Sequence, residues 1–174
     1  IARIAKEKRY ILLAIIWTGL VAAVLICFAG FRSGSVGDTG MYMHSYRMYV
    51  SDPSTIPYDR DWGFSLLNLL LIQFSSNPQT LVFVTSFINQ LCNMIVFYKY
   101  SSYLELQVFV YIASGYLTTS MNGMRQCLAA SILFLFTKLI TDGKFIAYLI
   151  IVLIISTIHG SALIMIPVYF IVRQ

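Results

Sequence analysis

The chain has 174 residues, of which 59% are hydrophobic and only 11% are charged, and its mean hydropathy is +0.78. This composition excludes an ordinary soluble domain and indicates an integral membrane protein. The formal net charge of +5 comes from cations scattered at the ends of apolar segments. Because they do not cluster on one polar face, they do not indicate a nucleic-acid partner.

The first apolar segment, residues 10–30, carries no charge. At about 1.5 Å per residue it is long enough to cross a bilayer as one helix. It is longer than the apolar core of a signal peptide and is followed by more apolar segments, so we expect a retained helix. The basic residues before it place the N-terminus in the cytoplasm by the positive-inside rule: Arg3, Lys6, Lys8 and Arg9.

Residues 32–62 form the longest polar stretch, which we expect to be an extracytoplasmic loop that contains an amphipathic helix. Asp38-Thr39 supplies good N-cap residues, and Asp52-Pro53 ends the pattern. Three tyrosines recur between them at helical spacing: Tyr42, Tyr46 and Tyr49. Asp61 similarly precedes a short apolar helix that starts near Gly63.

Five further apolar segments follow the first one: 64–74, 81–98, 106–119, 127–137 and 145–172. Segment 64–74 is too short to span, so an interfacial or re-entrant helix is expected there. Segment 145–172 is either one tilted helix or two short ones broken at His159-Gly160-Ser161. The predicted fold is an all-α polytopic membrane protein. It has five to six transmembrane helices, with interfacial or re-entrant helices on the extracytoplasmic side. Residues 1–174 form a single transmembrane domain, expected to be part of a longer chain because the sequence begins with Ile.

Lysine positions decide how the polar islands between these segments are arranged. The positive-inside rule favours the topology that leaves Lys99, Lys138 and Lys144 in the cytoplasm. Three polar islands then converge on the extracytoplasmic face: 32–38, 121–126 and 159–161.

Arg125 is the most informative residue, because a charged group between two membrane segments costs several kcal/mol and is usually kept for function. It follows Gly123 and opens a predicted helix. A guanidinium at a helix N-terminus makes a strong site for phosphate oxygens. The alternative is a structural ion pair with Asp38 or Asp61, and the two interpretations are compatible.

Two other residues carry alternatives of the same kind. Arg32 is either a snorkelling anchor or, with the flexible residues 33–38, part of an anion site. His159 lies within an apolar run and is either an interhelical hydrogen-bonding group or a catalytic base. A polar stripe on the segment 81–98 is expected to hold helices together more than to line a substrate cavity: Ser86, Asn89, Gln90 and Asn93.

The three cysteines, Cys27, Cys92 and Cys127, all fall in or beside apolar segments, and none lies in the long polar loop. Their spacing contains no CxxC pair. We therefore predict no disulfide and no metal site, and no cofactor is implied.

Together the polar islands resemble the motifs of the EpsG family of membrane polysaccharide polymerases. The opening motif is matched by Phe28-Ala29-Gly30-Phe31-Arg32 and then by Val36-Gly37-Asp38-Thr39 with Tyr42; three further matches are Asp61-Trp62-Gly63-Phe64, Asn122-Gly123-Met124-Arg125-Gln126 and His159-Gly160-Ser161-Ala162. The Arg-Gln motif is the most specific of these. Order and spacing agree over nearly the whole chain.

The resemblance implies a Wzy-like role in exopolysaccharide, capsule or O-antigen synthesis. Such an enzyme joins oligosaccharide repeats carried on undecaprenyl diphosphate at the outer face of the bacterial cytoplasmic membrane. It would work in the bilayer beside a flippase and a chain-length regulator of the same pathway. The competing class is a translocator that moves the lipid-linked glycan without forming a bond.

With this resemblance, we hypothesise a metal-independent glycosyl transfer and assign residue roles to it. Arg125 and Arg32 are expected to stabilise the departing diphosphate. His159 is the favoured base for the acceptor hydroxyl, with Asp38 orienting the acceptor, the histidine or an arginine, and the reverse assignment stays open. Five residues are candidates for substrate contacts: Asn122, Gln126, Tyr42, Tyr46 and Asp61.

Overall fold

A computed structural model describes residues 2–173, and the side chains of residues 11–173. The described part is helical, without β-strands. The α-helices are α1 Ala2–Gly30, α2 Thr39–Ser51, α3 Trp62–Ile72, α4 Gln79–Tyr100, α5 Leu104–Ala113, α6 Tyr116–Asn122, α7 Met124–Leu135, α8 Lys138–Thr141, α9 Phe145–Ser156 and α10 Met165–Val172. Two 3₁₀ turns, Pro53–Thr55 and Gly160–Ile164, complete the described elements.

Two of the described helices are long and apolar enough to cross a membrane: α1 from Ile11 to Gly30, and α4. The chain is therefore compatible with a helical membrane protein. The other apolar helices are shorter because the segments are interrupted, for example at Gly115, whose positive φ of 78° separates α5 from α6. The expected five to six spans remain a prediction. So does the orientation. The side chains of Arg3, Lys6, Lys8 and Arg9, on which it partly depends, lie outside the described residues.

The polar loop and the short helices follow the sequence pattern closely. Helix α2 begins after Asp38 and ends before Asp52, and α3 covers 11 residues, or about 16 Å, which is about half a bilayer. The last apolar segment is two short helices rather than one, because the chain is extended at His159, between α9 and the 3₁₀ turn.

Helix α4 is the centre of the packing. It packs against α1 on one side and against α7 on the other. One apolar cluster joins α1, α4, α5 and α6, and a second joins α2, α3, α4 and α7. A third cluster packs α7 against α9, the second 3₁₀ turn and α10. The segments that hold the three polar islands therefore lie on α7 or next to elements that pack against α4 or α7.

The polar stripe of α4 is buried between helices, as predicted. All four residues of the stripe are buried, and Asn89 Nδ2 donates to the carbonyl of Cys127 on α7 at 2.8 Å. Gln90 Oε1 accepts the hydroxyl of Tyr111 on α5 at 2.9 Å. Because the surroundings are apolar, these bonds fix the register of three helices.

The Asn89 bond supplies a test of this packing. Asn89→Ala leaves the Cys127 carbonyl without its side-chain donor, so we expect a loss of about 1 kcal/mol of stability. The measurement is thermal unfolding of the purified chain in detergent. Gln73→Ala, at an exposed residue after α3, is the control. Equal midpoints for the two variants would contradict a structural role for the stripe.

Candidate functional site

A carboxylate, a guanidinium and an imidazole from three distant parts of the chain meet in the structure. Asp61 precedes α3, Arg125 lies in the first turn of α7, and His159 precedes the second 3₁₀ turn. Arg125 Nη1 lies 3.0 Å from Asp61 Oδ2, and His159 Nδ1 lies 3.2 Å from the same oxygen. We call these three residues the Asp61 cluster.

The backbone of Asp61 explains how its carboxylate reaches both partners. Its φ of 50° is left-handed, and no other non-glycine residue in the described range 2–173 has a positive φ. Asp tolerates this conformation better than most residues. Asp61 occupies the N-cap position of α3, as expected, but its side chain makes no capping bond. The carboxylate instead turns to the cluster, where Oδ1 also accepts the backbone N–H of Gly160 at 3.2 Å.

The start of α3 is hydrogen-bonded directly to the end of α9. The N–H of Gly63 donates to the carbonyl of Thr157 at 2.8 Å. A Cβ at position 63 would collide with Thr157, so glycine is required by this close approach. Because Gly63 is two residues from Asp61 and Thr157 is two residues from His159, this contact fixes the spacing of the carboxylate and the imidazole.

Arg125 is held by aromatic residues as well as by the carboxylate. Its Nε donates to the Tyr42 hydroxyl at 3.2 Å. The guanidinium carbon lies 5.8 Å from the ring centre of Tyr42 and 5.9 Å from that of Phe64. Of the two possible ion-pair partners, Asp38 and Asp61, Arg125 pairs with Asp61. The Arg125 side chain is still 36% exposed, and its Nη2 forms no hydrogen bond with residues 11–173. One edge of the guanidinium is therefore available to an anion.

Arg32 does not join the cluster. It is only 7% exposed, which rules out the snorkelling anchor. Its Nε donates to Thr39 Oγ1 at 2.8 Å, and Nη1 donates to the carbonyl of Ala29 at 2.7 Å and to Ser86 Oγ at 2.8 Å. The expectation that Arg32 clamps a diphosphate together with Arg125 is therefore corrected, since three of its hydrogen bonds are made inside the protein.

Asp38 and Asn122 are joined to each other. The backbone N–H of Asp38 donates to Asn122 Oδ1 at 3.0 Å. Gly37, with a φ of 50°, packs against the same side chain. The exposed Asp38 carboxylate forms no hydrogen bond or ion pair with residues 11–173. We expected Asp38 to orient the acceptor, the histidine or an arginine; the histidine and Arg125 are contacted by Asp61 instead, while Asn122 anchors the loop.

Two other substrate-contact candidates have opposite surroundings. Tyr46 is fully buried, and its hydroxyl donates to the carbonyl of Ser75 at 2.8 Å. The expected substrate contact is wrong for Tyr46, because none of its surface is exposed. Gln126 is exposed and lines a cavity, whereas its neighbour Arg125 is not among the lining residues.

That cavity is an apolar groove of 530 Å³ between α4, α5, α7 and the second 3₁₀ turn. Phe97, Val110, Leu133 and Met165 are typical of its walls. Its polar lining includes Gln126, the neighbour of Arg125, and Ser161, two residues after His159. The walls come from elements far apart in the sequence, so no local pattern predicts the groove.

Among the described residues, no group of three or more His, Cys, Asp or Glu side chains is placed to hold a metal ion. The Asp61 cluster brings together three groups that can take part in chemistry. It combines a cation with one free edge, an oriented imidazole that is 29% exposed, and a fixed carboxylate. Such a set suits anion binding together with proton transfer.

The EpsG family model matches residues 15–174. Because the match covers most of the sequence, the chain belongs to the EpsG family, as its motifs indicated. Membership of this family indicates, in general terms, a polysaccharide polymerase-like role of glycosyltransferase type. Comparison with curated proteins and with solved structures gave no match.

The Asp61 ion pair supplies a test of the site geometry. Asp61→Asn keeps the left-handed backbone but removes the charge, and Arg125→Gln removes the partner. A double-mutant cycle in denaturant unfolding should give a coupling free energy of about 1 kcal/mol. A parallel cycle with Asp59→Asn, at an exposed carboxylate, should be additive within about 0.3 kcal/mol. Additivity in both cycles would mean that the Asp61–Arg125 contact does not form.

Proposed function

We propose that this EpsG-family chain is a polysaccharide polymerase of the cytoplasmic membrane. It joins oligosaccharide repeats carried on undecaprenyl diphosphate at the extracytoplasmic face. The observations that support this best are the Asp61 cluster and the apolar groove, whose lining includes Gln126, the neighbour of Arg125, and Ser161, two residues after His159. A lipid-linked repeat has three parts, namely a sugar, a diphosphate and a hydrocarbon chain. The cluster and the groove offer a partner of suitable chemistry to each.

In the proposed reaction, the hydroxyl oxygen of an acceptor sugar attacks the anomeric carbon of the donor. The bond from that carbon to the diphosphate oxygen breaks, and the diphosphate leaves with the bonding electrons. His159 takes the hydroxyl proton on Nε2. The Nδ1 contact with Asp61 favours the tautomer in which Nδ1 carries hydrogen and Nε2 is free to accept. Asp61 also stabilises the imidazolium that forms.

Charge on the leaving group is the main electrostatic problem of this step. Arg125 presents the free edge of its guanidinium, and a well-placed donor typically contributes a few kcal/mol to such a transition state. Tyr42 and Phe64 keep the guanidinium plane fixed, which reduces the ordering cost when an anion binds. We assign diphosphate binding to Arg125 and give Arg32 no part in it.

The groove is assigned to the hydrocarbon chain of the donor. Its lining is mostly apolar and includes Gln126 and Ser161, which follow Arg125 and His159 along the chain by one and two residues. A chain lying there would place the attached diphosphate beside Arg125. Tyr42 and Gln126 remain candidates for sugar or phosphate contacts, and the exposed carboxylate of Asp38 for accepting hydrogen bonds from sugar hydroxyls. Asn122 contributes by holding the Asp38 loop.

An extension assay with synthetic undecaprenyl-diphosphate repeats and purified protein tests the function. We expect longer glycans from the wild type. His159→Gln should reduce turnover about 10²- to 10⁴-fold, because it removes the base. Arg125→Gln should reduce it about 10²- to 10³-fold, through lost charge stabilisation. Product length is measured by gel electrophoresis or mass spectrometry.

Helix α2 provides matched controls for both variants. His44 and Arg47 are exposed and lie outside the cluster, so His44→Gln and Arg47→Gln should keep wild-type turnover. If His159→Gln extends glycans at the rate of His44→Gln, the assignment of the base is wrong. Movement of the labelled lipid across vesicles without any new glycosidic bond would favour the translocator instead.

Filling the groove tests the assignment of the hydrocarbon chain. Ala130 lines the groove, and Ala130→Trp would occupy part of its volume. We expect KM for the full-length lipid to rise about tenfold, equivalent to about 1.4 kcal/mol of lost binding. Ala113→Trp, at an exposed α5 residue outside the groove, is the control. A truncated lipid carrier should be affected less. Equal KM values for both variants would contradict the assignment.

A further inference from the structure

A small polar pocket lies under Arg32, apart from the Asp61 cluster. It is formed where the end of α1 meets α4, α6 and α7, and it has room for about one water-sized species. Its polar walls are Arg32, Thr85, Ser86, Asn89, Gln90 and Ser120. No carboxylate among residues 11–173 lines it, so the formal charge of this described lining is that of the guanidinium.

Arg32 is incompletely satisfied in this pocket. Its side chain makes three hydrogen bonds through Nε and Nη1, while the buried Nη2 has no hydrogen-bond partner within the described side chains, 11–173. Arg32 forms no ion pair with an Asp or Glu among residues 11–173. A buried charge without a counter-charge is much less favourable than a paired one. The cation therefore lacks both an acceptor for Nη2 and a neutralising partner.

The neighbouring groups supply further donors. The Ser86 hydroxyl accepts from Arg32 Nη1, which leaves its own hydrogen free to donate. Asn89 Nδ2 uses one hydrogen for the Cys127 carbonyl and has a second. Burial lowers the pKa of Arg32 to about 10, so the guanidinium stays charged at neutral pH.

We propose that this pocket binds one small monovalent anion of halide size, such as chloride, held by Arg32 Nη2 and the Ser86 hydroxyl. A phosphate or diphosphate group is too large for a space that takes one water-sized species. The bound anion would neutralise Arg32 and fasten the junction of α1 and the polar loop to α4. This site does not depend on the proposed polymerase activity.

The test is thermal unfolding of the purified full chain in detergent, with sodium chloride exchanged for sodium gluconate at constant ionic strength. A site with a dissociation constant near about 20 mM should raise the midpoint by about 2–4 °C at about 100 mM chloride, and the effect should saturate. Arg32→Lys and Ser86→Ala should each reduce the shift at least by half. Ser131→Ala, at another buried serine outside the pocket, should keep it.

A direct readout makes the proposal independent of how well the variants fold. Crystals of the wild type grown in sodium bromide should give one anomalous peak beside Arg32 Nη2. A water molecule there without an anomalous peak, or equal midpoints in chloride and gluconate, would overturn the proposal. Stabilisation by inorganic pyrophosphate but not by halide, lost in Arg32→Lys, would also overturn it and return Arg32 to the diphosphate site.

Discussion

The contact on which the rest of the site depends is the double engagement of one carboxylate oxygen, Asp61 Oδ2, by Arg125 and His159. These partners are far apart in sequence, so the fold must bring three helix termini to one point. The left-handed turn at Asp61 and the close contact of Gly63 with Thr157 are the local means. A partly buried carboxylate fixed in this way places negative charge within hydrogen-bonding distance of both a guanidinium and an imidazole.

Helix α4 provides the framework within which this convergence is possible. Hydrogen bonds from amides and hydroxyls on a buried helix face fix the position of that helix relative to its neighbours, whereas purely apolar faces allow several relative positions. The bond from Asn89 to the Cys127 carbonyl sets the height of α7, and therefore that of Arg125 in its first turn. The polar residues of α4 thus hold the helices in place, and Arg125 of the Asp61 cluster lies on α7, which packs against α4.

Local features of this chain were predictable from its sequence, and long-range pairings were not. Hydropathy and cap residues located α2 and α3, and the small polar group at His159 located the break after α9, because these depend on nearby residues. The choice between Asp38 and Asp61 as the partner of Arg125 was left open, since both precede helices and only packing distinguishes them. The burial of Tyr46 was missed because a helical repeat of tyrosines does not reveal which one faces a core.

Because Arg125 and His159 share one oxygen of Asp61, a change in one of these contacts alters the other. An anion that draws the Arg125 guanidinium toward itself weakens that residue's hold on Asp61 and leaves more of the carboxylate's charge to the imidazole. Under the proposed function, binding of the donor diphosphate by Arg125 and orientation of the imidazole by Asp61 would then be coupled through this oxygen. Substitutions at positions 61, 125 and 159 should therefore be coupled, so that a change at one position is tolerated only with changes at the others.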